Sequence, residues 1–182
     1  MRRVTLAGLM LATVCVAHAE DFRLSSPDIG PDKLFAQEFV YNSFGCAGGN
    51  KSFALSWSGA PQGTQSYVVA HFDPDGARGR GFWHWFLIDI PASTTSLPRD
   101  AGNEDSAKIP AGSKQLKNNF GRAGYGGSCP PSSDPPHTYV VTVYAVKVPK
   151  LDIPADTGAA QALPIVEANA LGKATLTYQY GR

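Results

Sequence analysis

The sequence predicts a single, mostly β domain, and three observations support this prediction. Five segments rich in β-branched and aromatic residues are each bounded by Gly, Pro, Asp or Ser, as strands commonly are. The 182 residues include 19 Gly and 14 Pro without a fixed period, which favours a turn-rich fold. Only one segment, near the C-terminus, is typical of a helix. The chain contains no internal repeat and no linker, so we expect one domain over residues 20–182.

The predicted strands combine bulky apolar residues with β-branched ones. The run over residues 82–90 is almost continuously apolar, which is typical of a strand that is buried on both faces. The five predicted strands, in chain order, cover residues 53–57, 67–72, 82–90, 138–148 and 174–180.

The predicted helix covers residues 159–171. We expect Pro164 to interrupt it, because proline lacks the amide hydrogen of an interior helical position, and we expect Gly172 to end it. Residues 100–115 show no periodicity and are predicted to be a surface connection. Residues 120–136 contain four Gly and four Pro, so this long loop must be irregular and is expected to be functional or pinned.

The first nineteen residues have the pattern of a secretory signal peptide. Arg2 and Arg3 precede an apolar run that ends in the small-residue motif Ala17-His18-Ala19. We therefore expect cleavage near Ala19 and a periplasmic or secreted protein. A lipid anchor on Cys15 is not expected, because the residue before that cysteine is the β-branched Val14. The remainder of the sequence contains no apolar run long enough to be a transmembrane segment.

Removal of this peptide changes the net charge from +1 to −1, since it carries two arginines and no acid. A near-neutral chain argues against nucleic acid as a partner. Cys46 and Cys129 remain as an even pair in an exported protein, for which a disulfide is the default expectation. Two free thiols or a metal site are weaker alternatives, because neither cysteine has a second ligand at metal-binding spacing.

Three short groups of residues have side chains suited to binding or proton transfer. Asp73-Pro74-Asp75 follows a predicted strand, although this motif taken alone favours an ordinary Asp-Pro turn. His84 lies inside the apolar run, either as a buried histidine or as a side chain that points into a pocket. Alternation places it on the same face as Phe82 and Phe86.

The third group is His137-Thr138-Tyr139, where the histidine and the tyrosine share one strand face. A metal site built from these histidines, His71 and Asp73 is an alternative, but we do not expect the four side chains to converge. We therefore predict no metal and no cofactor. The motifs of serine hydrolases, zinc proteases and nucleotide-binding loops are absent from the sequence.

The order and spacing of these groups, together with several glycine-rich and proline-rich motifs, resemble one known family. The sequence resembles the phosphatidylethanolamine-binding proteins, in their bacterial Raf-kinase-inhibitor-like branch, from about residue 22 to residue 182. The motifs that carry the resemblance are Phe44-Gly45-Cys46, Leu55-Ser56-Trp57, Asp73-Pro74-Asp75, Phe82-Trp83-His84-Trp85, Asn119-Phe120-Gly121, Gly124-Tyr125-Gly126-Gly127-Ser128-Cys129-Pro130-Pro131 and His137-Thr138-Tyr139.

The resemblance implies an antiparallel β-sandwich with a large central sheet, a small second sheet and a short C-terminal helical element. It also implies a small pocket for anions such as phosphate or a phospholipid head group, in which histidine N–H and tyrosine O–H groups donate to the ligand. The residues that the resemblance places at this pocket are Asp73, Asp75, His84, His137 and Tyr139, with Pro130 and Pro131 at its rim.

This sequence departs from the family pattern near the pocket. Gly76-Ala77 replaces the usual Ala-Pro after the aspartates, Asn119 replaces an aspartate, Ser128 replaces a glycine, and Thr138 replaces an arginine. We expect a binding module for a small anionic ligand, with a regulatory or inhibitory role toward a protein partner. The alternative is a hydrolase or other enzyme that uses Asp73, His84 and His137, which we consider weaker because no activated nucleophile is visible.

Overall fold

The computed structural model describes residues 21–104 and 106–182, so the predicted signal peptide lies outside it. The described residues form eight strands in two antiparallel sheets. The small sheet has the order β1-β2-β5, with β1 Arg23–Ser25, β2 Leu55–Ser58 and β5 Ser96–Leu97. The large sheet has the order β6-β4-β3-β7-β8, with β3 Ser66–Asp73, β4 Phe82–Pro91, β6 Lys114–Gln115, β7 His137–Val146 and β8 Ala170–Tyr180. The predicted fold class is confirmed.

The five predicted strands are present as β2, β3, β4, β7 and β8, with somewhat different ends. The three strands that the sequence did not predict are β1, β5 and β6. They contain two or three residues each and are too short to show alternation. Residues 21–104 and 106–182 also contain three helical elements: the 3-10 turn Gln37–Phe39, the turn α1 Gly76–Gly79 and the helix α2 Ala159–Asn169.

The large sheet is buried on both faces, which explains the continuous apolar runs of its central strands. In β3, Val69 packs into the core between the two sheets, whereas Val68 and Ala70 pack into the core beneath α2. The core between the sheets is rich in aromatic side chains, including Trp85 and Tyr178. Full burial of each such side chain contributes about 1.5–3 kcal/mol.

The helix α2 corrects two predictions. Pro164 lies inside the helix and does not interrupt it. The helix ends at Asn169, and Gly172 belongs to β8 rather than to a helix stop. The end is set by a neighbouring strand segment, because Lys147 donates its backbone N–H to Asn169 O and its Nζ to Ala168 O. These bonds satisfy carbonyl groups that a helix end leaves unpaired.

A β-bulge in β4 corrects the prediction about the face that His84 shares. His71 pairs with Trp85 and Phe72 pairs with Trp83, so His84 is the extra residue of the bulge. A bulge re-aims side chains relative to regular alternation. The His84 ring therefore lies beside Phe82, at 5.1 Å between centroids, while Phe86 packs beneath α2.

The long loop over residues 120–136 is irregular, as predicted, and it is pinned at several points. Cys129 forms a disulfide with Cys46, at a Cα–Cα distance of 6.1 Å. Gly127 N–H donates to Asn50 Oδ1 at 2.8 Å, and the Tyr125 hydroxyl donates to Phe39 O at 2.9 Å. Within the described residues, no helix is both long and apolar enough to cross a membrane.

Candidate functional site

A cavity of about 690 Å³ opens where the end of β3 meets the starts of β4 and β7. Five of the seven residues that the sequence analysis assigned to a pocket line this cavity. They are Asp73, His84, Pro130, Pro131 and His137.

Asp73 is buried at the base of the cavity and is anchored by the turn that follows it. Its Oδ1 accepts hydrogen bonds from the backbone N–H groups of Asp75 and Gly76, both at 2.9 Å. A Cβ added at position 76 would lie 3.0 Å from Asp73 Oδ2 and closer still to Phe82, so a side chain there would require these neighbours to shift. Its other oxygen, Oδ2, faces the histidines of the site.

His137 donates from Nδ1 to Asp73 Oδ2 at 2.8 Å, and its Nε2 lies 3.4 Å from Asp134 Oδ2. Burial by itself lowers the pKa of His137. The hydrogen bond and charge of Asp73, followed by the contributions of Asp134 and Asp75, outweigh burial and raise the pKa above the ordinary value of 6.5. His137 therefore carries more positive charge near neutral pH than an ordinary histidine does.

His84 has the opposite electrostatic character. Burial is the largest influence and lowers its pKa to about 4, despite the opposing effects of the Gly126 carbonyl and of Asp73. Its Nδ1 lies 2.8 Å from Gly126 O, and a carbonyl oxygen only accepts, so Nδ1 carries the hydrogen. The neutral ring then presents Nε2 as an acceptor, and this buried atom has no partner among the described residues.

The base of the cavity therefore presents two acceptors to whatever occupies it. His84 Nε2 and Asp73 Oδ2 are 4.0 Å apart, and neither carries a hydrogen when His84 is neutral. A group that binds between them must donate hydrogen bonds. For His84 this geometry favours an acceptor role, whereas the family resemblance implies that the histidines of the pocket donate an N–H.

Asp75 and Tyr139 are near the cavity but do not line it. Asp75 Oδ2 accepts the backbone N–H of Thr138 at 2.8 Å, so it fixes the start of β7. Tyr139 is fully buried with its ring 5.4 Å from that of His84, and burial raises its pKa well above 10. Its hydroxyl lies near Ser128, but the geometry gives it no hydrogen-bond partner among the described residues.

His71 lies closer to the site than we expected, because residues 71 and 73 are on the same face of β3. Its ring is 4.9 Å from that of His84, and its Nε2 is hydrogen-bonded to the Tyr178 hydroxyl at 2.8 Å. Burial, followed by the charge of His84, lowers the pKa of His71 well below 6.5. In the part of the chain that the structure describes, no group of three His, Cys, Asp or Glu side chains is arranged to hold a metal ion.

The sequence analysis missed several residues at the mouth of the cavity. Arg78 is the one cation of fixed charge among the described lining residues, and it sits in the α1 turn with a φ of 60°. Phe44 is 71% exposed and stacks on Phe120, at 5.9 Å between ring centroids. Asp134 completes this set of lining residues. Arg78 lies three residues after the Asp-Pro-Asp motif, and this proximity could have predicted it as a residue of the pocket.

The C-terminal residue stabilises the same side of the cavity as the disulfide. Arg182 donates from Nε to Pro130 O at 2.6 Å and from Nη1 to Gly45 O at 2.9 Å. Cys46 and Cys129 are the chain neighbours of these two acceptor residues. The guanidinium and the disulfide therefore fasten together the same two segments.

Comparisons with known proteins agree with this fold. The family model described as "Phosphatidylethanolamine-binding protein" matches residues 25–181. The chain is 38% identical over 180 residues to the UPF0098 protein YbcL of Escherichia coli, covering 99% of this chain and 98% of YbcL. It is 35% identical over 160 residues to YbhB of the same organism, covering 87% of this chain and 99% of YbhB.

Solved structures give the same result. The crystal structure of E. coli YbcL, described as a new member of the mammalian PEBP family, superposes with a TM-score of 0.85 at 41% identity, covering 88% of this chain and 98% of that one. A homologue from Chlamydia trachomatis shares the fold, with a TM-score of 0.72 at 23% identity over 88% of this chain and 97% of its own. From the family model and these relatives together, the chain belongs to the phosphatidylethanolamine-binding protein family.

Proposed function

We propose that this protein is a binding module for a small phosphate-like anion, which it takes into the cavity over Asp73, His84 and His137. The observation that carries the proposal is the unpaired Nε2 of His84. It is a buried acceptor on a residue that lines the cavity. Leaving such an atom without a partner costs about 1–3 kcal/mol, so a ligand or a water molecule that donates to it is favoured.

A phosphate monoanion or phosphomonoester fits the donors and acceptors of the site. Its P–OH group donates to His84 Nε2, while Asp73 Oδ2 already accepts from His137 Nδ1. Its charged oxygens accept from Arg78, which lines the cavity, and are attracted to the protonated ring of His137. A ligand with one proton and at least one negative charge satisfies both sets of groups.

The residues around the cavity favour binding over covalent catalysis. Among the described lining residues, Ser133 and Cys129 bear a hydroxyl or a sulfur atom. The Ser133 hydroxyl donates to Asp134 at 3.2 Å, and Cys129 is in the disulfide. Among the described residues, neither is hydrogen-bonded to a histidine or a lysine, the bases that commonly activate such a nucleophile.

We also propose that the protein acts after export, in the periplasm or outside the cell, with a regulatory role toward a protein partner. The signal-like N-terminus and the disulfide support export. A relative in Mycobacterium tuberculosis, named as a putative lipoprotein, is 33% identical over 166 residues and also supports it. Edman sequencing of protein from a periplasmic fraction should find Glu20 as the first residue. An intact Met1 terminus on cytoplasmic protein would contradict export.

Calorimetric titration with inorganic phosphate and with sulfate tests the ligand. Phosphate near pH 6 is largely a proton-bearing monoanion, whereas sulfate has no proton to donate, so phosphate should bind and sulfate should bind at least tenfold more weakly. Phosphorylethanolamine should bind, and ethanolamine alone should not. Arg78→Ala should weaken phosphate binding, and Arg23→Ala, at an exposed arginine that does not line the cavity, should not. Equal binding of phosphate and sulfate would contradict the assigned acceptor role of His84.

A further inference from the structure

Both ring nitrogens of His137 are already occupied by carboxylates of the protein. Nδ1 donates to Asp73 Oδ2 at 2.8 Å, and Nε2 lies 3.4 Å from Asp134 Oδ2. The Nδ1 contact is buried, since the Asp73 side chain is 4% exposed. An anion in the cavity therefore has access to the imidazolium only on the side where Asp134 now lies.

Asp134 is held much more weakly than Asp73. Its side chain is 42% exposed, and it belongs to the exposed stretch of the long loop that follows Pro131. Among the residues that the structure describes, its other partners are local: the Ser133 hydroxyl donates to its carboxylate at 3.2 Å, and its backbone N–H donates to Pro131 O at 3.1 Å. Water and a competing anion can both reach its carboxylate, so little has to be broken to move it.

The position of Asp134 also decides the charge that an arriving ligand meets. Its carboxylate lines the same cavity as Arg78 and His137 and shields the cationic ring from the solvent side. A ligand anion is repelled by this carboxylate until the carboxylate moves away. A residue with a merely structural role would not oppose the ligand in this way.

We propose that Asp134 is an internal competitor of the ligand: its carboxylate occupies the anion-binding side of His137, and a bound anion displaces it. The inference rests on the proposed function and deepens it. It implies that the site excludes anions that interact with His137 no more strongly than a carboxylate does, such as acetate. A phosphoryl group has more charge and more acceptor oxygens, so it can displace Asp134. Asp134 is thus a specificity-determining residue of the site.

Phosphate titrations of the wild type, Asp134→Ala and Asp134→Asn test the inference. The measurements belong near pH 6, below the ordinary histidine pKa of about 6.5, where the protonated form of a histidine is favoured. Asp134→Ala should bind phosphate about 2–5-fold more tightly than the wild type, because the ligand no longer has to displace an exposed ion pair. The affinity for acetate should increase by at least the same factor. The phosphate affinity of Asp134→Asn should lie between those of the wild type and Asp134→Ala. The control is Asp152→Ala, an exposed carboxylate that does not line the cavity, with unchanged affinity.

The outcomes separate this inference from the proposed function. Phosphate binding by Asp134→Ala that equals or falls below that of the wild type overturns the competitor role and leaves the proposed function standing. Phosphate binding by Asp134→Ala alone supports the competitor role and overturns the proposal that the wild type binds phosphate. Absence of binding in every protein overturns both.

A measurement without ligand checks the contact itself. NMR titration of the His137 ring should show a lower pKa in Asp134→Ala than in the wild type, because one of the carboxylates that stabilise the imidazolium is gone. An unchanged His137 pKa would mean that the two groups do not meet in solution, which overturns the inference.

Discussion

The floor and the rim of the cavity are held in different ways. The floor consists of Asp73, His84 and His137, each at most 4% exposed and each fixed by a hydrogen bond at 2.8–2.9 Å. The rim residues Arg78 and Asp134 are exposed and lie on irregular segments. The difference teaches that changes in the floor should cost folding stability as well as binding. Changes in these rim residues should alter binding at little cost to stability.

The disulfide gives the largest expected effect, because it closes a long loop beside the cavity. Replacing both Cys46 and Cys129 by alanine removes a link across 83 residues, which the chain-entropy model values at about 4 kcal/mol. Urea denaturation of the oxidised wild type and of the double variant measures this loss. A difference below about 1 kcal/mol would show that Arg182 and the backbone bonds hold the two segments without the disulfide.

Asp73→Ala removes the carboxylate that links the residues of the cavity floor. It leaves the Asp75 and Gly76 amides and His137 Nδ1 without their acceptor, and breaking a buried ionic pair costs about 3–5 kcal/mol. Phosphate binding should be lost as well. The matched rim variant, Asp134→Ala, should change stability by no more than about 0.5 kcal/mol in the same denaturation experiment. Similar losses for the two aspartates would erase the distinction between floor and rim.

The two histidines of the floor should titrate in opposite directions from 6.5. The pKa of His84 is lowered to about 4, so protonation of this ring favours the unfolded state. The free energy of unfolding is therefore unaffected by His84 above pH 6.5 and decreases as the pH falls from 6.5 toward 4. The pKa of His137 is raised, so its contribution is present below 6.5 and is lost as pH rises through its folded-state pKa. Ring NMR signals recorded against pH give both values, and His84 titrating above His137 would contradict the assignment.

The smallest effect on stability is expected for the rim. Arg78→Ala removes an exposed side chain in the strained α1 turn, so the free energy of unfolding should change by about 0.5 kcal/mol or less. Phosphate affinity should nevertheless fall about 3–10-fold, which corresponds to the loss of one solvent-exposed hydrogen bond of about 0.5–1.5 kcal/mol. Unchanged affinity would place the ligand away from the α1 turn.

Much of the fold could be predicted from the sequence, because its strands are long and strongly apolar. The run at residues 82–90 and the Val-rich segment of β7 leave little choice but buried strands. The features of the fold that the sequence did not predict depend on tertiary contacts. Pro164 is tolerated because α2 packs firmly on the large sheet, and the helix end depends on Lys147, which precedes the helix in the chain.

The candidate site was predictable where spacing in the chain decides contact, and not where a bulge or a loop decides it. The turn after Asp73 follows from Pro74 and Gly76, which lie beside it. The role of His84 depends on an extra residue in β4 and on Gly126, which lies 42 residues away. Asp134 lies only three residues before His137, but the turn between them is irregular, and no alternation pattern predicts which way its side chain points.

The central claim is that a phosphate-like anion binds over His84 and His137, and NMR of the histidine rings tests it most directly. Signals of both rings should shift together and saturate as phosphate is added to the wild type near pH 6, with one dissociation constant. Asp73→Asn should abolish the shift, and Asp152→Ala should preserve it. Ring signals of His84 and His137 that stay in place in millimolar phosphate would contradict the claim.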